Sequence, residues 1–233
     1  MATKEIDIPG IGAVTLYKRR GNRSLRLSIG PNGEVRVSQP YWLPYTAGAQ
    51  FAKTRSDWIE QHRGAQTAGL THDQLIGKAH RMRFVSSLDV SKVTSRLHAN
   101  FVEIKYPSQL DEAHADVQKA ARSAATRALR LQAEKLLPQR LQQLAEQAGY
   151  SYRSVEIRHL KSRWGSCSSQ QEITLNLFLM QLPWHLIDYV LLHELAHTRV
   201  MRHGPPFWQE LEQHAANARQ LRKEIGQYHP AFG

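Results

Sequence analysis

The chain has 233 residues, 41% hydrophobic and 22% charged, which is ordinary for a globular protein of one large domain or two small ones. No apolar run reaches the roughly 18 residues of a membrane-spanning helix, the N-terminus lacks the apolar stretch of a secretory signal, and the single Cys167 excludes an internal disulfide framework. A cytoplasmic location is expected, and the net charge of +11 is uneven: residues 1–110 carry sixteen Lys and Arg against eight acids, while 111–149 contribute +1 and 150–233 contribute +2.

Val14-Thr15-Leu16-Tyr17 and Leu25-Arg26-Leu27-Ser28-Ile29 alternate with period two and read as strands. Pro31-Asn32-Gly33 then supplies a hairpin turn into Val35-Arg36-Val37. Residues 47–64 read as an amphipathic helix anchored by Phe51, Trp58 and Ile59. Arg81-Met82-Arg83-Phe84-Val85 and Phe101-Val102-Glu103-Ile104 are further strands, closed by Pro107. From Asp111 to Gly149 the chain is rich in Ala, Leu, Gln and Arg at helical spacing, with Pro138 expected to split it into two helices and Gly149 to end it. Ser154-Val155-Glu156-Ile157-Arg158 and the run from Glu172 to Leu179 read as strands around a polar loop, 161–169. Pro183 opens an apolar helix to about Val200. No internal repeat or low-complexity tract is visible. The expected architecture is α+β: a β-rich basic part over 1–110, a helical connecting segment over 111–149, and a compact α+β part over 150–233.

The chemistry concentrates in the last part. His193 and His197 are four apart and share one helix face, where two imidazoles can hold one zinc ion at about 2.0–2.1 Å each. Glu194 lies about 100° round the helix from His193, which suits a general base acting on a metal-activated water better than a ligand. Leu186, Ile187, Val190 and Leu191 make this helix a buried one, where such polar groups are costly without a purpose. An open catalytic zinc site needs a third protein ligand. His203, brought back by the turn at Gly204-Pro205-Pro206, is favoured. Glu210 is its main rival, and His214 remains a further candidate.

These runs carry a family resemblance. Arg163-Trp164-Gly165-Ser166-Cys167, the strand from Ile173 to Asn176, the His193-Glu194-Leu195-Ala196-His197 helix and His203-Gly204-Pro205-Pro206-Phe207-Trp208 resemble, in that order, the YgjP-like metallopeptidases. The resemblance is strongest over about 150–233. It implies a zincin-like, metal-dependent hydrolase holding Zn2+ on His193, His197 and His203, with Glu194 as the catalytic base and a peptide or protein as substrate. His-Gly-Pro-x-Phe is also similar to the third-ligand segment of SprT-like proteases. The histidine spacing equals that of metzincins, but Val200 stands where those enzymes have glycine. No Glu-x-x-x-Asp run at Glu210 matches the glutamate-ligand zincins.

The run 172–179 resembles the rim strand along which zincins lay an extended peptide. Arg163, Tyr228 and His229 are candidates for stabilising an oxyanion, Asp188 for supporting a ligand histidine, and Cys167 for an extra ligand; Trp164 reads as packing. Two alternatives remain at this level. Lys161, Arg163 and the serine-rich loop suit a nucleotide substrate cleaved at its phosphoanhydride. The basic N-terminal part suits a polyanion contact, as in a nucleic-acid-associated metalloprotein.

Overall fold

The computed structural model describes residues 3–30, 33–60 and 69–232. Its mixed α+β chain divides into two compact units, Met1–Gly69 together with Gly233, and Leu70–Phe232. The division falls inside the stretch expected to be one β-rich part, because each unit closes an apolar core of its own.

The first unit contains β1 (Thr3–Ile8), β2 (Gly12–Arg19), β3 (Arg26–Ile29), β4 (Val35–Pro40) and α1 (Tyr45–Lys53). The sheet order is β1-β2-β4-β3; β2 and β4 run parallel, and the outer pairs are antiparallel. Alternation turns Val14 and Leu16 of β2, and Val35 and Val37 of β4, onto one buried face with Ala52 and Ile59. Pro31 and Asn32 of the expected turn, and residues 61–64 of the expected helix, lie outside the described residues. Gly33 has the left-handed φ of 75° that favours glycine.

The second unit opens with β5 (Leu75–Ile76), β6 (His80–Ser87), β7 (Thr94–Leu97) and β8 (Phe101–Pro107). Their order, β5-β6-β8-β7, copies the first sheet strand for strand and direction for direction. The register is copied too. Ile8 opposite Gly12 recurs as Ile76 opposite His80, Val14 opposite Val35 as Met82 opposite Val102, and Arg19 opposite Pro40 as Ser87 opposite Pro107. Buried Ile8, Val14, Leu16, Val35 and Val37 answer to buried Ile76, Met82, Phe84, Val102 and Ile104. Even the exits match, with Leu43 N–H on the Pro40 carbonyl and Leu110 N–H on that of Pro107. The sequence shows no repeat, yet the structure contains one. What recurs is pattern and register over a spacing of 67–68 positions, while most residue identities differ.

One helix, α2 (Ala115–Ala148), follows and runs unbroken through Pro138. Proline there forfeits an N–H bond and costs about 3 kcal/mol in an ideal helix. Buried Leu137, Leu141 and Leu144 surround it, each contributing about 1.5–3 kcal/mol, so packing outweighs the break. Gly149 caps the helix at φ 67°.

The third sheet has β9 (Ser154–Arg158), β10 (Gly165–Cys167) and β11 (Glu172–Asn176) in the order β10-β11-β9. β11 is therefore interior, antiparallel to β10 and parallel to β9, rather than a rim strand; the edge beside the loop 161–169 belongs to β10. The strand expected to reach Leu179 stops at Asn176, whose side-chain oxygen accepts from Phe178 N–H and starts a 3-10 turn, Leu177–Gln181. Then come α3 (Trp184–Ala196), α4 (Pro205–Glu212) and α5 (Ala218–Ile225). One continuous core joins β6 and β8 through α2 to β11, α3 and α4. Asp188 on α3 takes a two-pronged bond from Arg140 on α2, at 2.7 and 2.6 Å, so it fixes helix to helix rather than supporting a histidine. Among the described residues no helix is long and apolar enough to cross a membrane.

Candidate metal centre

α3 ends at Ala196, four residues before the expected Val200, with His197 as its C-cap. The early stop has a geometric result. The chain turns through Thr198, whose N–H bonds back to Leu195 O, and brings the Val200 carbonyl 3.1 Å from His197 Nδ1. A carbonyl only accepts, so Nδ1 carries the hydrogen and Nε2 presents a lone pair. Gly204 then caps α4, whose first turn holds Pro205 and Pro206, and the chain returns His203 to the end of α3.

The three Nε2 atoms converge. His203 Nε2 lies 3.0 Å from that of His193 and 3.1 Å from that of His197. Tetrahedral ligands at about 2.0–2.1 Å from zinc stand about 3.3 Å apart, close to this spacing. Among the described residues, this trio is the group of His, Cys, Asp or Glu side chains close enough to hold one metal ion. The donors fit such an ion. Burial, and then the neighbouring His197 and His203 with Arg222, push His193 down to about 3. Burial also lowers His197 and His203, so all three rings are neutral at pH 7 and offer lone pairs. Among the described residues the His193 Nδ1 atom is buried without a hydrogen-bond partner.

Sequence reasoning missed the floor of the cluster. Phe207, fully buried on α4, has its ring 4.9, 4.5 and 4.8 Å from those of His193, His197 and His203. Trp208 follows it edge-on at 5.6 Å, with Arg222 stacked over its indole at 5.1 Å. A phenylalanine four residues after His203, on the inner face of the next helix, was the available signal.

Glu194 is 5% exposed and turned toward β10. A Cβ at position 165 would stand 2.7 Å from Glu194 Oε1, so only glycine lets β10 cross the carboxylate. Burial raises the Glu194 carboxyl to about 8, with Arg163 pulling the other way. The loop before β10 is held by fully buried Asn176, which donates to the carbonyls of Leu160 and Arg163 at 2.7 and 2.8 Å. Arg163 itself is exposed, as is Lys161, while Trp164 packs against the core.

The other candidates lie elsewhere. Glu210 is ion-paired to Arg199 at 2.7 Å, and His214 packs edge-on against Tyr150. Cys167 is half-buried and donates to Ser168 O, its thiol raised to about 11 by burial and by Glu194. Tyr228 is exposed beyond α5, and neither it nor His229 belongs to the histidine trio.

Three histidine side chains this close could hold one metal ion. A family model described as the YgjP-like, metallopeptidase domain matches residues 23–228, and the chain belongs to that family. No curated protein matches. Two solved structures are similar over part of the chain. The metallopeptidase zymogen abylysin of Pyrococcus abyssi is 28% identical at a TM-score of 0.36, over 40% of this chain and 93% of its own. The metallopeptidase zymogen jannalysin of Methanocaldococcus jannaschii is 22% identical at a TM-score of 0.36, over 40% of this chain and 96% of its own.

Proposed function

We propose that the chain is a zinc-dependent metallopeptidase whose zincin-like catalytic part lies within 150–233. In it His193, His197 and His203 hold the metal and Glu194 is the catalytic base. The observation that carries this is the convergence of three imidazoles, with His203 Nε2 3.0 Å from that of His193 and 3.1 Å from that of His197, beside the buried carboxyl of Glu194. A bound zinc ion would supply Lewis acidity toward a carbonyl and make water a stronger nucleophile near neutral pH.

The chain's own residues supply the rest. An extended peptide can add along the outer edge of β10, pairing with the backbone of Gly165–Cys167. That lays the peptide across Glu194, which the missing Cβ at Gly165 leaves reachable. Glu194 removes a proton from the attacking water and returns it to the departing amine. Its burial favours the protonated form and so favours proton uptake. Arg163 is the cation whose field opposes that burial, and it keeps the carboxyl able to ionise.

The test pairs metal analysis with cleavage of an unstructured protein. Glu194→Gln should retain one zinc per chain and lose at least a hundredfold in kcat. His203→Ala should lose zinc, whereas Glu210→Ala should keep it. Cleavage at wild-type rate by Glu194→Gln, or undiminished zinc in His203→Ala, would overturn the assignment.

A further inference from the structure

The first unit carries a surface that the metal centre does not use. From Ile8 to Gly33 the chain has five cations, Lys18, Arg19, Arg20, Arg23 and Arg26, and no acid. The sheet gathers them at one end. Arg19 at the end of β2 lies opposite Pro40 at the end of β4, and Arg26 at the start of β3 lies opposite Ser38. Arg20 and Arg23 sit in the loop between, and Tyr41 and Trp42 follow Pro40 directly. These two aromatics are 58% and 68% exposed, and the Lys18 ammonium lies 5.6 Å over the Tyr41 ring and 4.9 Å over that of Tyr45. Cations and aromatics thus share one corner. Among the described residues none of the five cations is in an ion pair; the unit's recorded pair joins Arg36 to Glu34.

The repeat provides an internal control. In the second sheet the same corner has Ser86, Ser87, Leu88, Ser91 and Thr94 in place of the five cations, and Ser108 and Gln109 in place of the two aromatics. Its loop carries one Lys92 and one Asp89, which cancel. The strand pairing therefore requires neither the charge nor the exposed rings. An unpaired cation cluster beside two exposed flat rings is the combination that follows a phosphate backbone and stacks its bases. Duplex bases are already stacked on one another, so the rings favour a single strand.

We propose that the corner of the first unit formed by Lys18, Arg19, Arg20, Arg23, Arg26, Tyr41 and Trp42 binds single-stranded nucleic acid. The experiment is fluorescence anisotropy of the full chain with a labelled, mixed-sequence oligonucleotide of about 16 nucleotides. Single-stranded RNA, single-stranded DNA, duplex DNA and phosphatidylserine vesicles form the arms, across a salt series. Single strands should bind more tightly than duplex, with whichever of RNA and DNA binds more tightly naming the natural strand. R19A/R20A/R23A should lose at least tenfold and lower the log–log salt slope by about 2. Y41A/W42A should lose about tenfold with the slope unchanged. R23E alone, at an exposed loop position, repeats the charge test should the triple variant fail to fold. Zinc content and peptide cleavage should stay at wild-type levels in every variant, which separates this test from that of the metal centre. The proposal is overturned if no single strand binds at low salt, or if duplex binds equally and Y41A/W42A changes nothing. It is also overturned if vesicles bind more tightly than either strand.

Discussion

At the scale of single residues, the histidine trio was legible and its setting was not. The four-residue spacing of His193 and His197 is a property of helix pitch, and Glu194 comes with it. Gly165 and Phe207 stand within the motifs, but what they do there depends on contacts between elements, Gly165 with Glu194 and Phe207 with the three histidine rings. Gly165→Ala should lower kcat at least tenfold while zinc content stays unchanged, because the new methyl meets the Glu194 carboxylate rather than the histidines. Equal loss of zinc would show that the strand, not the base, had been displaced. Glu210, the rival candidate for third ligand, is ion-paired to Arg199 in a way that pH can expose. Burial raises its carboxyl, but the bond from Arg199, with the Tyr150 hydroxyl nearby, outweighs that and holds it below the usual 4.5. Its contribution is thus present above 4.5 and fades as pH falls through the lower folded value. Glu210→Gln should be less stable than the parent at pH 7, by at most about 1 kcal/mol, in thermal melts. The difference should close once the pH has fallen through the lowered folded value.

At the scale of elements, long periodic segments were readable and short or overridden ones were not. β10 is three residues long and contains glycine, so it read as loop, and the outer position in the sheet was assigned to β11 next to it. α2 misled in the opposite way, since a proline that breaks an isolated helix survives where leucines on both sides are buried. Pro138→Ala should restore a bond to the Glu134 carbonyl and raise the melting temperature, worth about 1 kcal/mol or more. A lower melting temperature would mean that the proline ring is itself a packing element. Asp188 shows the same limit of sequence. Its distance from His193 along α3 was readable, but its partner, Arg140, lies on another helix.

At the scale of the whole molecule, the α+β class and the metallopeptidase family were visible from the order of elements and motifs. The doubled sheet was not, because a fold repeat can persist as alternation and register after residue identities have diverged. Each unit has its own core, so stability should separate. Leu16→Ala, in the first core, should lower one calorimetric transition by about 2–5 kcal/mol and leave the inactivation temperature of peptide cleavage unmoved. A single shifted transition would show the two cores to be one cooperative body. The duplication also has a consequence for how the two copies tolerate change. The second copy is held to its shape by α2, which packs in the same core as α3, the helix that carries His193, so drift there reaches the histidine trio. The first copy has its own small core. Substitutions should therefore accumulate unevenly along the chain, leaving the first sheet free to trade its surface for new errands while the second stays bound to the original one.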